Sequence, residues 1–155
     1  MRTLLVLLSG VALWAAPACN QSPAEAQAPP PRTVVDVERL MVQTVEPAAN
    51  AIWKSVSTTV SIEGVKERFP RNDKEWAAVR SSAHTLAESG RLLLGNRGKD
   101  TDPWAAMSRD LIEAAEETIE AAEAKRPEGI LDAGEKIYYA CIGCHQRYPG
   151  RMQNQ

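Results

Sequence analysis

The chain has 155 residues, enough for one ordinary domain. A hydrophobic share of 44% supports a packed core, and a net charge of −2 leaves no basic stripe, which excludes an electrostatic case for nucleic acid as a partner. With one Phe and three Tyr beside four Trp, that core must be built mostly from Ala, Leu, Val and Ile, which suits close-packed helices.

The N-terminus reads as a targeting segment. Arg2 precedes an apolar run from Leu4 to Trp14, broken by Ser9 and Gly10, and small residues lead to Ala16-Pro17-Ala18-Cys19. A charged start, a short apolar centre and an A-x-A site predict a secretory signal peptide over residues 1–18, and hence a periplasmic protein. The run is too short to remain in a bilayer as a spanning helix. Cys19, directly after a small residue, resembles the lipobox cysteine of bacterial lipoproteins, which is acylated and tethers the chain to a membrane. Ala16 and Pro17 depart from that motif, and ordinary cleavage, with Cys19 a stray thiol or with the cut near Ala26-Gln27-Ala28, is the alternative. Residues 19–32, with a Pro triplet, read as an extended tether.

Helix-period patterns fill residues 33–150, which are expected to form one domain followed by a tail at 151–155. The first helix is predicted over about 34–58, with Val34, Val37, Met41, Val45, Ala48, Ile52 and Val56 recurring at three- and four-residue steps and Leu40 and Trp53 widening the stripe. Pro47 should kink or split it. Residues 61–71, with Gly64 and Pro70, read as a loop. Asn72 and Glu75 form a capping-box start for a second helix over 73–94, which Gly95 and Asn96 should stop. Its stripe is Trp76, Val79, Ala83, Leu86, Ala87 and Gly90. Asp102-Pro103 opens a third helix to about Lys125, carrying Met107, Leu111, Ala114, Ala115, Thr118 and Ala122 inward and its glutamates outward. The fourth is predicted over 127–147. The expected fold is all-α, an antiparallel up-down four-helix bundle.

The fourth helix contains Cys141-Ile142-Gly143-Cys144-His145. C-x-x-C-H is the attachment signature of haem c, and the spacing has a physical reason. Positions i, i+3 and i+4 share a helix face, so two thiols can add to the two vinyl groups of one porphyrin while the adjacent imidazole reaches the iron. Two alternatives stand beside it: a thioredoxin-like C-x-x-C, which belongs at the start of a helix in an α/β fold, and a zinc site completed by a fourth ligand such as His84. Three cysteines, two of them in one motif, do not make a disulfide framework.

A C-x-x-C-H near the C-terminus of a four-helix chain resembles the class II cytochromes c, the cytochrome c′ and cytochrome c-556 group. The residues that carry the resemblance are Cys141 to Tyr148, Arg39-Leu40-Met41 in the first helix, and Pro103-Trp104 at the start of the third. It spans about Val34 to Tyr148, is diffuse outside the haem motif, and departs at Pro47 and at Pro149-Gly150. The resemblance implies a bundle with one covalent haem c, His145 as axial ligand, Met41 as sixth ligand, redox proteins as partners, and homodimerisation as a frequent trait. Met107, His84 or a vacant sixth position that binds NO or CO are the alternatives to Met41. Trp53, Trp76 and Trp104 read as core and haem-wall residues, and Arg91, Arg97 and Lys99 as solvated cations within reach of propionates. No Ser-His-Asp set, phosphate loop or paired acid points to an enzyme; the expected role is electron transfer, with gas binding or a subunit of a larger redox complex as alternatives.

Overall fold

Asp36 opens the first helix by accepting the Arg39 amide on its carboxylate at 3.2 Å, an N-cap that satisfies one of the free amides of the first turn. A computed structural model describes residues 36–97 and 102–149; the signal peptide, Cys19, the tether, Lys99 and the 151–155 tail lie outside the described residues. The helix runs as α1 (Val37–Leu40), a π-helical turn (Met41–Val45) and α2 (Glu46–Ser55). The backbone stays right-handed helical through both junctions, so the three pieces are one rod. The Glu46 amide donates to the Met41 carbonyl, five residues back. Pro47 does not split the helix. It has no amide to donate and its ring would strike the Gln43 carbonyl in a regular turn, and the wide turn lies over that position.

The structure departs from two expectations after this helix. The first helix ends at Ser55, and the loop is a β-hairpin, with β1 (Ser57–Ser61) antiparallel to β2 (Gly64–Arg68). Ser57 pairs with Arg68, Val60 with Val65, and Ser61 with Gly64, leaving Ile62 and Glu63 as a two-residue turn. Gly64 has φ +118°, which disfavours a side chain. Every residue of both strands is exposed, so no apolar alternation marks them. The protein is therefore mostly helical with a small two-stranded sheet, not all-α.

Asn72 and Glu75 cap α3 (Asp73–Arg97) as the capping box predicts: the Glu75 amide donates to Asn72 Oδ1 at 3.0 Å, while the Glu75 carboxylate accepts from the Asn72 side chain and the Arg71 amide. The helix passes through Gly95 and Asn96, the expected stop. Neither takes a left-handed conformation. The Trp104 indole N–H donates to the Leu93 carbonyl at 2.7 Å, fastening the end of α3 to the next helix.

α4 (Pro103–Glu123) starts where Asp102-Pro103 places it, with Asp102 Oδ1 accepting the Trp104 amide at 3.1 Å. It ends in a Schellman motif: the Arg126 amide donates to the Ala121 carbonyl (2.9 Å) and the Lys125 amide to that of Ala122 (3.2 Å). Lys125 sits at the left-handed position, φ 52°, where glycine is preferred. Lys125→Gly should therefore raise stability by about 0.5–1 kcal/mol in urea unfolding, since backbone relief outweighs the exposed Lys125–Asp73 ion pair it removes. A lower midpoint would contradict this.

α5 (Pro127–Arg147) matches its predicted limits. α3 packs along α4, α4 along α5, and α2 against both α3 and α5. Ile52, Leu86, Ile130 and Ile137 are fully buried at the centre, and alanines line the α4 seam. At Gly90 an added Cβ would lie 2.6 Å from Ile112 Cγ1, so α3 approaches α4 closely there. The buried hydroxyls of Ser89, Ser108 and Thr118 each donate to the carbonyl four residues back at 2.8 Å. Trp53 donates its indole N–H to the Gly134 carbonyl at 2.9 Å, joining α2 to α5. Trp53→Phe, which keeps an aromatic ring but removes the donor and the second ring of the indole, is expected to lower unfolding stability by about 1–3 kcal/mol, read from denaturant melts. No described helix is long and apolar enough to cross a membrane.

Candidate cofactor site

The buried stripe of α5 determines where its thiols go. Ile130, Ala133, Gly134 and Ile137 face the core, and the next three- and four-residue steps reach Cys141, Cys144 and Tyr148, all half-buried. His145, one position past Cys144, lies on the flank of that stripe and is exposed. Neither thiol is in a disulfide. Tyr148 packs edge-on against Trp104, with ring centroids 5.1 Å apart, and its hydroxyl lies 3.4 Å from Asp102 Oδ1. The end of α5 is thereby held to the start of α4. These two aromatics, distant in the chain and both part of the family resemblance, are in contact.

A cavity of 230 Å³ opens at this end of the helices. Cys141, Cys144 and His145 of α5 line it together with Met41 of the π-turn. Val45, Trp53, Leu93, Trp104 and Leu111 supply apolar walls, and the Trp104 indole N–H is already committed to Leu93. Met107, offered by sequence as a lesser candidate, also lines the cavity. His84 does not; it is exposed on α3. Glu46 and Ser108 are lining residues that sequence reading missed. Glu46 falls five residues after Met41, and only the π-turn brings it to the same side.

Burial pushes the Cys141 thiol above its ordinary range, and the neighbouring Cys144 thiol adds to the effect. Its place near the C-terminal end of α5 acts in the same direction, because the helix dipole there disfavours a thiolate. A thioredoxin-like dithiol needs the reverse, a depressed thiol at a helix N-terminus. Among the described residues no three His, Cys, Asp or Glu side chains converge as a metal-binding group, so Cys141, Cys144, His145 and His84 do not gather as a zinc site. A porphyrin iron asks for less, since its equatorial ligands are the macrocycle's own.

Arg91, expected from sequence to lie within reach of propionates, does not line the cavity. It pairs with Glu88 at 2.9 Å and with Glu116 across the α3–α4 seam. A larger groove of 590 Å³ between α4 and α5 is lined by charged side chains, with Lys136 paired to Glu117 at 2.6 Å. It holds neither thiol nor imidazole, and the smaller apolar cavity is the one with chemistry in it. No protein-family model, curated protein or solved structure matches this chain.

Proposed function

We propose that this protein is an exported monohaem electron carrier of the class II c-type cytochrome kind, an antiparallel four-helix bundle with haem c attached through Cys141 and Cys144 and iron held by His145 and Met41. One observation carries the reading: the C-x-x-C-H segment and Met41, distant in sequence, line the same apolar cavity. The donor set fits such a group. Two thiols one helical turn apart and outside any disulfide, an imidazole beside them and a thioether from another helix are the groups a covalently held iron porphyrin takes.

When bound, the haem supplies a reversible one-electron couple. The chain's residues have definable tasks. Each cysteine would hold the group by adding its S–H across a vinyl double bond, an addition in which no atom leaves and no oxidant is needed. His145, on the flank of the same stripe and lining the cavity, would present a ring nitrogen to the iron. Met41 contributes a soft thioether, which raises the potential relative to a nitrogen or oxygen ligand. Trp104, Leu93 and Leu111 exclude water and keep the local dielectric low, which also favours the less charged, reduced state. With Cys19 acylated, the Pro-rich tether would hold this domain near a membrane, where redox partner proteins reside.

The decisive experiment is a pair of visible spectra, oxidised and reduced, with an intact mass, on protein matured in a periplasm. A mass increased by one haem and low-spin spectra in both states are expected. A colourless product with the mass of the bare polypeptide overturns the reading. A high-spin reduced form that takes up CO at once would move it to a gas-binding haem protein.

A further inference from the structure

On the reading of Met41 as an iron ligand, we propose that the π-turn Met41–Val45 is a positioning device, turning Met41 onto the cavity wall while keeping Leu40 in the core. An α-helix advances about 100° per residue. Extended unbroken from Ile52, the first helix would put Met41 within about 20° of Ile52, at the middle of the core-facing stripe, and Leu40 about 120° away from it. The structure has the opposite arrangement. Leu40 is buried, at 8% exposure, and Met41 is half-buried on the cavity wall.

The sense of the rotation agrees with the rest of the wall. Glu46, Ala49 and Trp53, the cavity-lining residues of α2, all lie to one side of Ile52 on the helix wheel. A π-turn holds one residue more than an α-turn, so it rotates everything upstream by several tens of degrees. That rotation carries Met41 to the side of Ala49 and Trp53, and it swings Leu40 into the core. Pro47 suits the wide turn, because a regular turn would drive its ring into the Gln43 carbonyl. Two apolar faces out of phase by one residue, a core face and a cavity face, are thus reconciled within one helix.

The test uses full-length protein matured in an exporting host: wild type, Met41→Ala, a Gln43 deletion combined with Pro47→Ala, and a single Ala inserted after Gln43. Deletion makes the helix regular without changing the phase of Met41, whereas insertion turns Met41 further away. Two readouts are taken, contacts of the Met41 methyl with the Trp53 or Trp104 ring protons by NMR, and CO uptake by the reduced protein. The deletion variant should keep the methyl contacts and resist CO as wild type does. The insertion variant should lose the contacts and take up CO as readily as Met41→Ala. Loss of the contacts in the deletion variant, or their retention in the insertion variant, overturns the proposal. Should the insertion variant fail to fold, the deletion variant decides alone. If Met41→Ala leaves CO uptake unchanged, it is the ligand assignment that fails, and the methyl contacts still decide the role of the π-turn.

Discussion

Protein carrying Cys141→Ala and Cys144→Ala together is expected to emerge from a maturing host colourless, at the mass of the bare chain, and to lose most of its cooperative melt. On the proposed reading the thiols are the covalent attachment points, so the colour and mass would follow from their removal alone. The loss of stability is the more demanding expectation. An unfilled cavity costs about 24 cal/mol per Å³, which for 230 Å³ gives an upper bound of about 5.5 kcal/mol. Domains of this size are stable by only about 5–15 kcal/mol. Leaving Trp53, Trp104 and Leu111 facing an open cleft therefore removes a large fraction of the total. The measurements are visible absorbance, intact mass and thermal melting followed by circular dichroism. A double variant that melts as high and as cooperatively as wild type would show that the α-helical core stands without any group in the cavity.

Met41→Ala tests the other side of the site. The variant should keep its haem, because both thiols and His145 are intact, yet lose the sixth ligand. Its reduction potential is then expected to fall on the order of 0.1 V, since axial ligand identity sets potentials over a wide range. Its reduced form should bind CO, and the weak far-red thioether band of the oxidised form should vanish. Stability should change far less than in the double cysteine variant, by about 1–2 kcal/mol, because Met41 is only half-buried. Met107→Ala is the informative control, as Met107 lines the same cavity. If Met107→Ala opens the iron to CO and Met41→Ala does not, the sixth ligand is Met107. His84→Ala, on the exposed face of α3, should leave every one of these readouts unchanged.

Much of the helical architecture was legible because its signals are local. Pro127 at the first helical position and the apolar steps to Ile137 define α5, and Asp102-Pro103 defines the start of α4. Asn72 and Glu75 announce α3 for the same reason, a cap satisfied within four residues. The misreadings are equally physical. The Ser57–Arg68 hairpin buries neither face, so it carries none of the alternation by which strands are recognised. Gly95 is a helix stop in isolation, but α3 runs through it to Arg97, and the glycine stays right-handed helical. The left-handed residue after α4 is a lysine, so composition gave no sign of the Schellman turn there.

The candidate site divides along the same line. Cys141, Cys144 and His145 share a face through helix geometry alone, and the chemistry that this spacing suits could be read from five consecutive residues. Their neighbour across the cavity, Met41, was pointed to by the family resemblance but not by periodicity. A regular helical period places Met41 in the middle of the core stripe, and a one-residue slip in hydrogen bonding, invisible to any periodicity, moves it to the cavity wall. Sequence by itself therefore determined the helices and the thiol–imidazole set, because backbone geometry over a few residues dictates both. Only the tertiary structure decided which thioethers share a cavity with that set, Met41 and Met107, and where the hairpin sits, because those depend on contacts between segments that no local rule connects.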